Sequence, residues 1–108
     1  MNNFQAFEIA IQMVASLKEP LAAIAQRDSD LASQLRRAAT SVPLNLAEGR
    51  RRVGKDRLHL FRIASGSADE VTACLRVAAA LGYLPESDVT DALGLADRVR
   101  AIAWTLTR

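Results

Sequence analysis

The chain of 108 residues contains one cysteine, one histidine, three prolines and five aromatic side chains, and each scarcity excludes a class of protein. Cys74 cannot form an internal disulfide, and with His59 as the sole imidazole there is no Cys/His set spaced to hold zinc. Charge interrupts every apolar run well short of the ~18 residues that a membrane span needs. Met1-Asn2-Asn3 also lacks the basic start of a secretory signal, so a cytoplasmic protein without membrane contact is expected. No glycine-rich phosphate loop, internal repeat or low-complexity linker is found, and no strand-like alternation of useful length. The aromatics are limited to Phe4, Phe7, Phe61, Tyr83 and Trp104, whereas half of the residues are hydrophobic and mostly alanine or leucine. That mixture predicts one all-helical domain over residues 1–108, able to bury roughly 65% of its unfolded surface.

Helical periodicity divides the chain into four segments. Phe7, Ala10, Val14, Leu17, Leu21 and Ile24 step by three and four, predicting a first helix from Phe4 to about Gln26. Pro20 falls inside that stripe, and because the stripe keeps its phase a kink there is favoured over a restart. Asp28-Ser29-Asp30 offers capping oxygens to a second helix with the stripe Leu31, Leu35, Ala38, Val42 and Leu46, ending near Arg50 despite Pro43. The third helix is expected from about Lys55 to Leu81 on Leu60, Ala64, Ala68, Val71, Leu75 and Ala78, with Gly82 stopping it. Its small segment Ala64-Ser65-Gly66-Ser67-Ala68 would admit a close neighbour. Pro85 suits the first turn of a fourth helix marked by Val89, Leu93, Ala96, Val99, Ala103 and Leu106. Short links between four such helices predict an antiparallel up-down four-helix bundle. Ile9, Met13, Ile63, Leu81, Leu95 and Ile102 fall outside the stripes, consistent with an extra face between subunits.

Charge is distributed unevenly. From Arg36 to Arg62 the cations Arg36, Arg37, Arg50, Arg51, Arg52, Lys55, Arg57 and Arg62 meet only Glu48 and Asp56, leaving this stretch at +6 and the remainder at −4. One electropositive region able to attract a polyanion is therefore expected. Phe61 is the only aromatic within it, and its apolar setting assigns it to the core, so stacking on bases and sequence specificity are not expected. On the second helix Arg37, Ser41, Asn45, Glu48 and Arg52 share a face. Their first reading is structural: Asn45, Ser41 or Thr40 satisfies backbone groups near Pro43, and Glu48 pairs with Arg52.

The run Leu35-Arg36-Arg37-Ala38-Ala39-Thr40-Ser41-Val42-Pro43-Leu44-Asn45-Leu46-Ala47-Glu48-Gly49 resembles the signature of bacterial proteins first described from intervening sequences in 23S ribosomal RNA genes. That family also includes the accessory variability determinants of diversity-generating retroelements. The similarity continues through Phe61-Arg62-Ile63-Ala64-Ser65-Gly66-Ser67-Ala68-Asp69-Glu70 and Leu81-Gly82-Tyr83-Leu84. Leu44 stands where many relatives carry a small polar residue, and Pro20 departs from the usual end of the first helix. The resemblance implies a four-helix bundle assembling as a homopentameric ring with a central channel. In the retroelement members it also implies a basic surface that binds nucleic acid and a partner reverse transcriptase.

Two functions follow from these readings. The first is a non-enzymatic scaffold that binds RNA or DNA through the eight cations around the connection of helices two and three. The second is a structural or protein-interaction ring whose basic connection docks another polypeptide; the plainer reading of the arginines is a solvated or intersubunit surface where they pair with carboxylates such as Asp69, Glu70, Asp88 or Asp91. Catalysis is not expected, and no cofactor or metal is implied. His59 has no nucleophile and base arranged around it, and Glu48 with Ser41 makes no recognisable hydrolytic pair. Glu8, Asp69 and Glu70 lack the Glu-x-x-His repeat of di-iron bundles. Cys74 reads as a small buried side chain.

Overall fold

The computed structural model describes residues 3–108. They form five α-helices and one 3-10 turn, with no strand among the described residues: α1 Asn3–Ser16, α2 Lys18–Arg27, α3 Ser29–Arg50, α4 Gly54–Ala80, the turn Glu86–Asp88, and α5 Thr90–Thr105. At 1.5 Å per residue the 27 residues of α4 span about 40 Å, which sets the 43 Å long axis of the molecule.

The first segment is not one helix kinked at Pro20. It stops at Ser16 and restarts at Lys18, with Pro20 in the first turn of α2. Pro20 has no N–H for the Ser16 carbonyl, so the hydrogen-bond ladder fails one turn before the proline. The Leu17 N–H instead reaches the Val14 carbonyl at 3.1 Å, and the Leu21 N–H reopens the ladder on the Leu17 carbonyl at 2.8 Å. Leu17 keeps near-helical dihedrals, φ −92° and ψ −1°. The phase therefore survives, and Met13, Leu17, Pro20 and Ile24 all face inward. The buried arc is rotated slightly from the expected stripe: Ala6, Ile9 and Met13 join Ala10 in the core, while Phe7, Val14 and Leu21 are half-buried. Helix α1 packs on both α3 and α5, so it needs a wider apolar arc than one stripe supplies. Ile9, Met13 and Ile102 are core residues, whereas Ile63 and Leu81 remain exposed and Leu95 is half-buried.

Asp28 caps α3 as expected, its Oδ1 accepting from the Leu31 N–H at 2.9 Å. Pro43 is buried within α3 without ending it. The polar groups beside it bond to carbonyls other than that of Ala39: Asn45 Nδ2 donates to the Ser41 carbonyl at 2.8 Å, and Thr40 Oγ1 to that of Arg36 at 3.0 Å. Helices α3 and α4 run antiparallel, with Gln34 against Glu70, Ser41 against Ser67, and Gly49 against Phe61. Helices α4 and α5 are tied by Ser65 Oγ, which donates to the Arg100 carbonyl at 3.2 Å. The Ala64–Ala68 segment therefore serves two neighbours, with Ser65 toward α5 and Ser67 toward α3, while Gly66 faces outward.

Gly54, with φ +63°, and Gly82, with φ +76°, hold the left-handed backbone at the two ends of α4. Pro85 does not enter the last helix. It is extended, with φ −66° and ψ 150°, and the 3-10 turn after it closes through Asp88 N–H to the Pro85 carbonyl at 3.0 Å. This tighter turn lets Leu84 and Val89 both reach the core before α5 begins.

Candidate nucleic-acid interface

The chain reversal between α3 and α4 concentrates the cations. Arg50 closes α3, Arg51 and Arg52 lie in the three-residue connection, and Lys55 and Arg57 occupy the first turn of α4. Arg62 follows about two turns on. Arg36 and Arg37 lie apart from this cluster, since fourteen residues of α3 separate them from Arg50 and Arg51, about 21 Å along the axis. The structure thus places together six of the eight residues picked from the sequence. All eight are exposed except Arg57, which is half-buried.

Their partners differ. Arg57 Nε donates to the Gly49 carbonyl and its terminal nitrogen to that of Arg50, both at 3.2 Å, so this fork caps the orphan carbonyls ending α3. Arg52 is ion-paired with Glu48 at 2.8 Å. The Arg52 guanidinium holds the Glu48 carboxyl below the ordinary carboxylate range, and Glu48 holds Arg52 more firmly charged. Arg37 donates to Ser33 Oγ at 2.9 Å. Among the described residues no carboxylate forms an ion pair with Arg36, Arg37, Arg50, Arg51, Lys55, Arg57 or Arg62.

Asp56 lies within the cluster and adds to the field on Arg52, while the other carboxylates that could have neutralised it are engaged or placed elsewhere. Asp69 meets Arg100 at 3.6 Å and Glu70 meets Gln34 at 3.5 Å. Asp88 and Asp91 line a depression with Glu19, Pro20 and Leu84, at the opposite end of the molecule from the basic connection. His59 lies exposed beside Glu48, Arg52, Asp56 and Leu60 in a shallow surface hollow. Ser41 takes no part in that hollow, because its hydroxyl bonds Ser67 at 2.8 Å and Asn45 at 3.0 Å. Cys74 is buried, and that burial pushes its thiol up, away from the reactive thiolate.

One residue at this end escaped sequence reasoning. Phe4 begins the chain's first helix, 46 positions before Arg50, yet the Arg50 guanidinium lies 5.1 Å from the centre of its ring. Phe4 is 51% exposed, and Val53 in the neighbouring connection is 79% exposed. Periodicity could place Phe4 near the start of a helix; it carried no signal for which helix end would meet it.

The family model described as 23S rRNA-intervening sequence protein matches residues 2–104. A crystal structure described as a protein of unknown function from the S23 ribosomal protein family of Bacteroides thetaiotaomicron superimposes with a TM-score of 0.86. Identity to it is 12%, with 95% of this chain and 98% of that chain covered, so the likeness is one of fold. No curated protein matches the chain.

Proposed function

Since the chain belongs to the 23S rRNA-intervening sequence protein family, we propose that it is a non-enzymatic scaffold that binds nucleic acid through the basic end formed where α3 meets α4. In this reading α1 and α2 act as one rod, and the protomer is an up-down four-helix bundle working in the cytoplasm. Five protomers close into a ring, so that modest phosphate contacts are repeated and add by avidity. Arg50, Arg51, Arg52, Lys55 and Arg62 supply those contacts, with Arg36 and Arg37 forming a second, separate group along α3. Arg57 contributes charge while its hydrogen bonds stay on α3. A reverse transcriptase is the protein partner this reading admits, docked on the same scaffold.

The observation that carries the proposal is the state of the cations. Of the eight, Arg52 alone is ion-paired among the described residues. An exposed cluster in which cations outnumber the carboxylates Glu48 and Asp56 attracts polyanions and releases their counterions on contact. If about five phosphates are neutralised per binding event, log affinity for duplex DNA falls against log salt with a slope of roughly −4.5. Electrophoretic shifts repeated at rising salt measure it. Absence of binding at low salt, or binding indifferent to salt, would sink the reading in favour of a ring that serves protein interactions alone.

A further inference from the structure

We infer that the basic end selects unpaired nucleic acid over duplex, with Phe4 and Arg50 forming a stacking platform for a base. The inference rests on the nucleic-acid reading above and names the class of strand that this site takes.

Phosphate charge alone does not distinguish a single strand from a duplex, because both present phosphates to Arg51, Lys55 and Arg62. Base faces do distinguish them. In a duplex each face is covered by its neighbour, whereas in an unpaired strand it is open to stack on aromatic rings and guanidinium planes. The fold builds such a pair. Helix α1 brings Phe4 to the end of α3, the Arg50 guanidinium lies over the ring at 5.1 Å, and about half of the side chain is still open to solvent at 51% exposure. The guanidinium lies over the ring, and the exposed remainder of Phe4 is the surface on which a base continues the stack.

The surroundings suit the same ligand. Arg51 in the connection and Lys55 in the first turn of α4 are exposed and free of ion pairs among the described residues, cations available to phosphates beside a stacked base. The most exposed large apolar side chain, Val53, lies between them. A large apolar surface among cations is a poor match for a phosphate backbone and a good one for the edge of an unstacked base. The stack uses the π-face that every base has, so the selectivity is for unpaired strands and not for sequence.

Fluorescence anisotropy with one labelled 20-nucleotide sequence, offered as single-stranded RNA, single-stranded DNA and duplex DNA at the same low salt, tests the inference. Both single strands are expected to bind more tightly than the duplex. Phe4→Leu, which keeps an apolar side chain but removes the ring, is expected to weaken single-strand binding by about 5- to 150-fold, the range for loss of one stacked base. Its duplex affinity should match the wild type. Circular dichroism and light scattering confirm that fold and assembly persist in the variant. Equal affinity for all three ligands, or equal loss on single strand and duplex in Phe4→Leu, overturns the stacking platform while leaving phosphate binding intact. No binding of any ligand by the wild type overturns the underlying function instead.

Discussion

Individual side chains carry most of what holds the two ends of this molecule in register. At the acidic end Tyr83 Oη donates to Asp28 Oδ2 at 3.1 Å, while Asp28 Oδ1 caps α3 and the Arg27 guanidinium lies 5.6 Å from the Tyr83 ring. One carboxylate thus ties the α2–α3 turn to the α4–α5 turn. The hydrogen bond to Asp28, with burial second, pushes the phenol above the ordinary tyrosine value. A group whose pKa is raised by folding stabilises the fold while it stays protonated, and that contribution fades as pH climbs through the raised value. Tyr83→Phe should therefore lower the urea midpoint at pH 7, and its gap to the wild type should narrow above pH ~10, where the phenol of the unfolded chain ionises while the folded one is held protonated beside a carboxylate. Urea melts of both proteins at pH 7 and pH 11 measure this, and an unchanged gap would refute the linkage. Gly82 before this tyrosine announced the end of α4 in the sequence. The pairing with Asp28 did not show, since 55 residues separate the two and no local pattern encodes a contact at that range.

Helix faces were legible along most of α4 and less so on α1, although each packs against two neighbours. Of the expected α4 stripe Ala64, Ala68, Val71, Leu75 and Ala78 are buried, whereas Leu60 is half-buried and its neighbour Phe61 fills the core at that turn. Helix α1 lies between α3 and α5, so residues that looked surplus, Ile9 and Met13, became core. Proline positions were visible, but their outcomes depended on backbone geometry: Pro20 starts a helix, Pro43 sits within one, and Pro85 precedes a 3-10 turn. Glycines in the helices sort by what surrounds them. A Cβ on Gly49 would lie 2.6 Å from Phe61 Cε1 and 2.9 Å from Cδ1, a rigid buried ring, while a Cβ on Gly66 meets nothing within 4 Å. Overpacking costs about 1–3 kcal/mol, which outweighs the ~1 kcal/mol gained by replacing a helical glycine with alanine. Gly49→Ala should therefore destabilise, and Gly66→Ala should stabilise the protomer by about 0.5–1 kcal/mol. Chemical denaturation of the two variants checks the opposite signs. A lower oligomer mass in Gly66→Ala, read by light scattering, would mark the outer face of α4 as covered between subunits.

At the scale of the whole molecule, charge is arranged lengthwise. The basic connection occupies one end of a 43 Å body, and Glu19, Asp88 and Asp91 gather at the other. The basic run was plain in the sequence, but its division was not: the rise along α3 carries Arg36 and Arg37 about 20 Å from Arg50. That division dictates how the scaffold should be tested. Reversing Arg50, Arg51 and Arg52 together disturbs more than charge, because Arg50 covers Phe4 and Arg52 holds Glu48, and a glutamate at 52 would repel Glu48 one turn away. Arg51, Lys55 and Arg62 carry no ion pair among the described residues. Changing Arg51 to glutamine and Lys55 and Arg62 to glutamate turns a net charge of +2 into −3 without setting a new carboxylate beside Glu48. If they neutralise phosphates, nucleic-acid binding is lost at every salt concentration while oligomer mass and thermal midpoint stay near the wild type. If the basic end docks another polypeptide or a second subunit, nucleic-acid binding was never its work, and the same variant loses assembly or partner instead. Anisotropy and light scattering on one preparation separate the two.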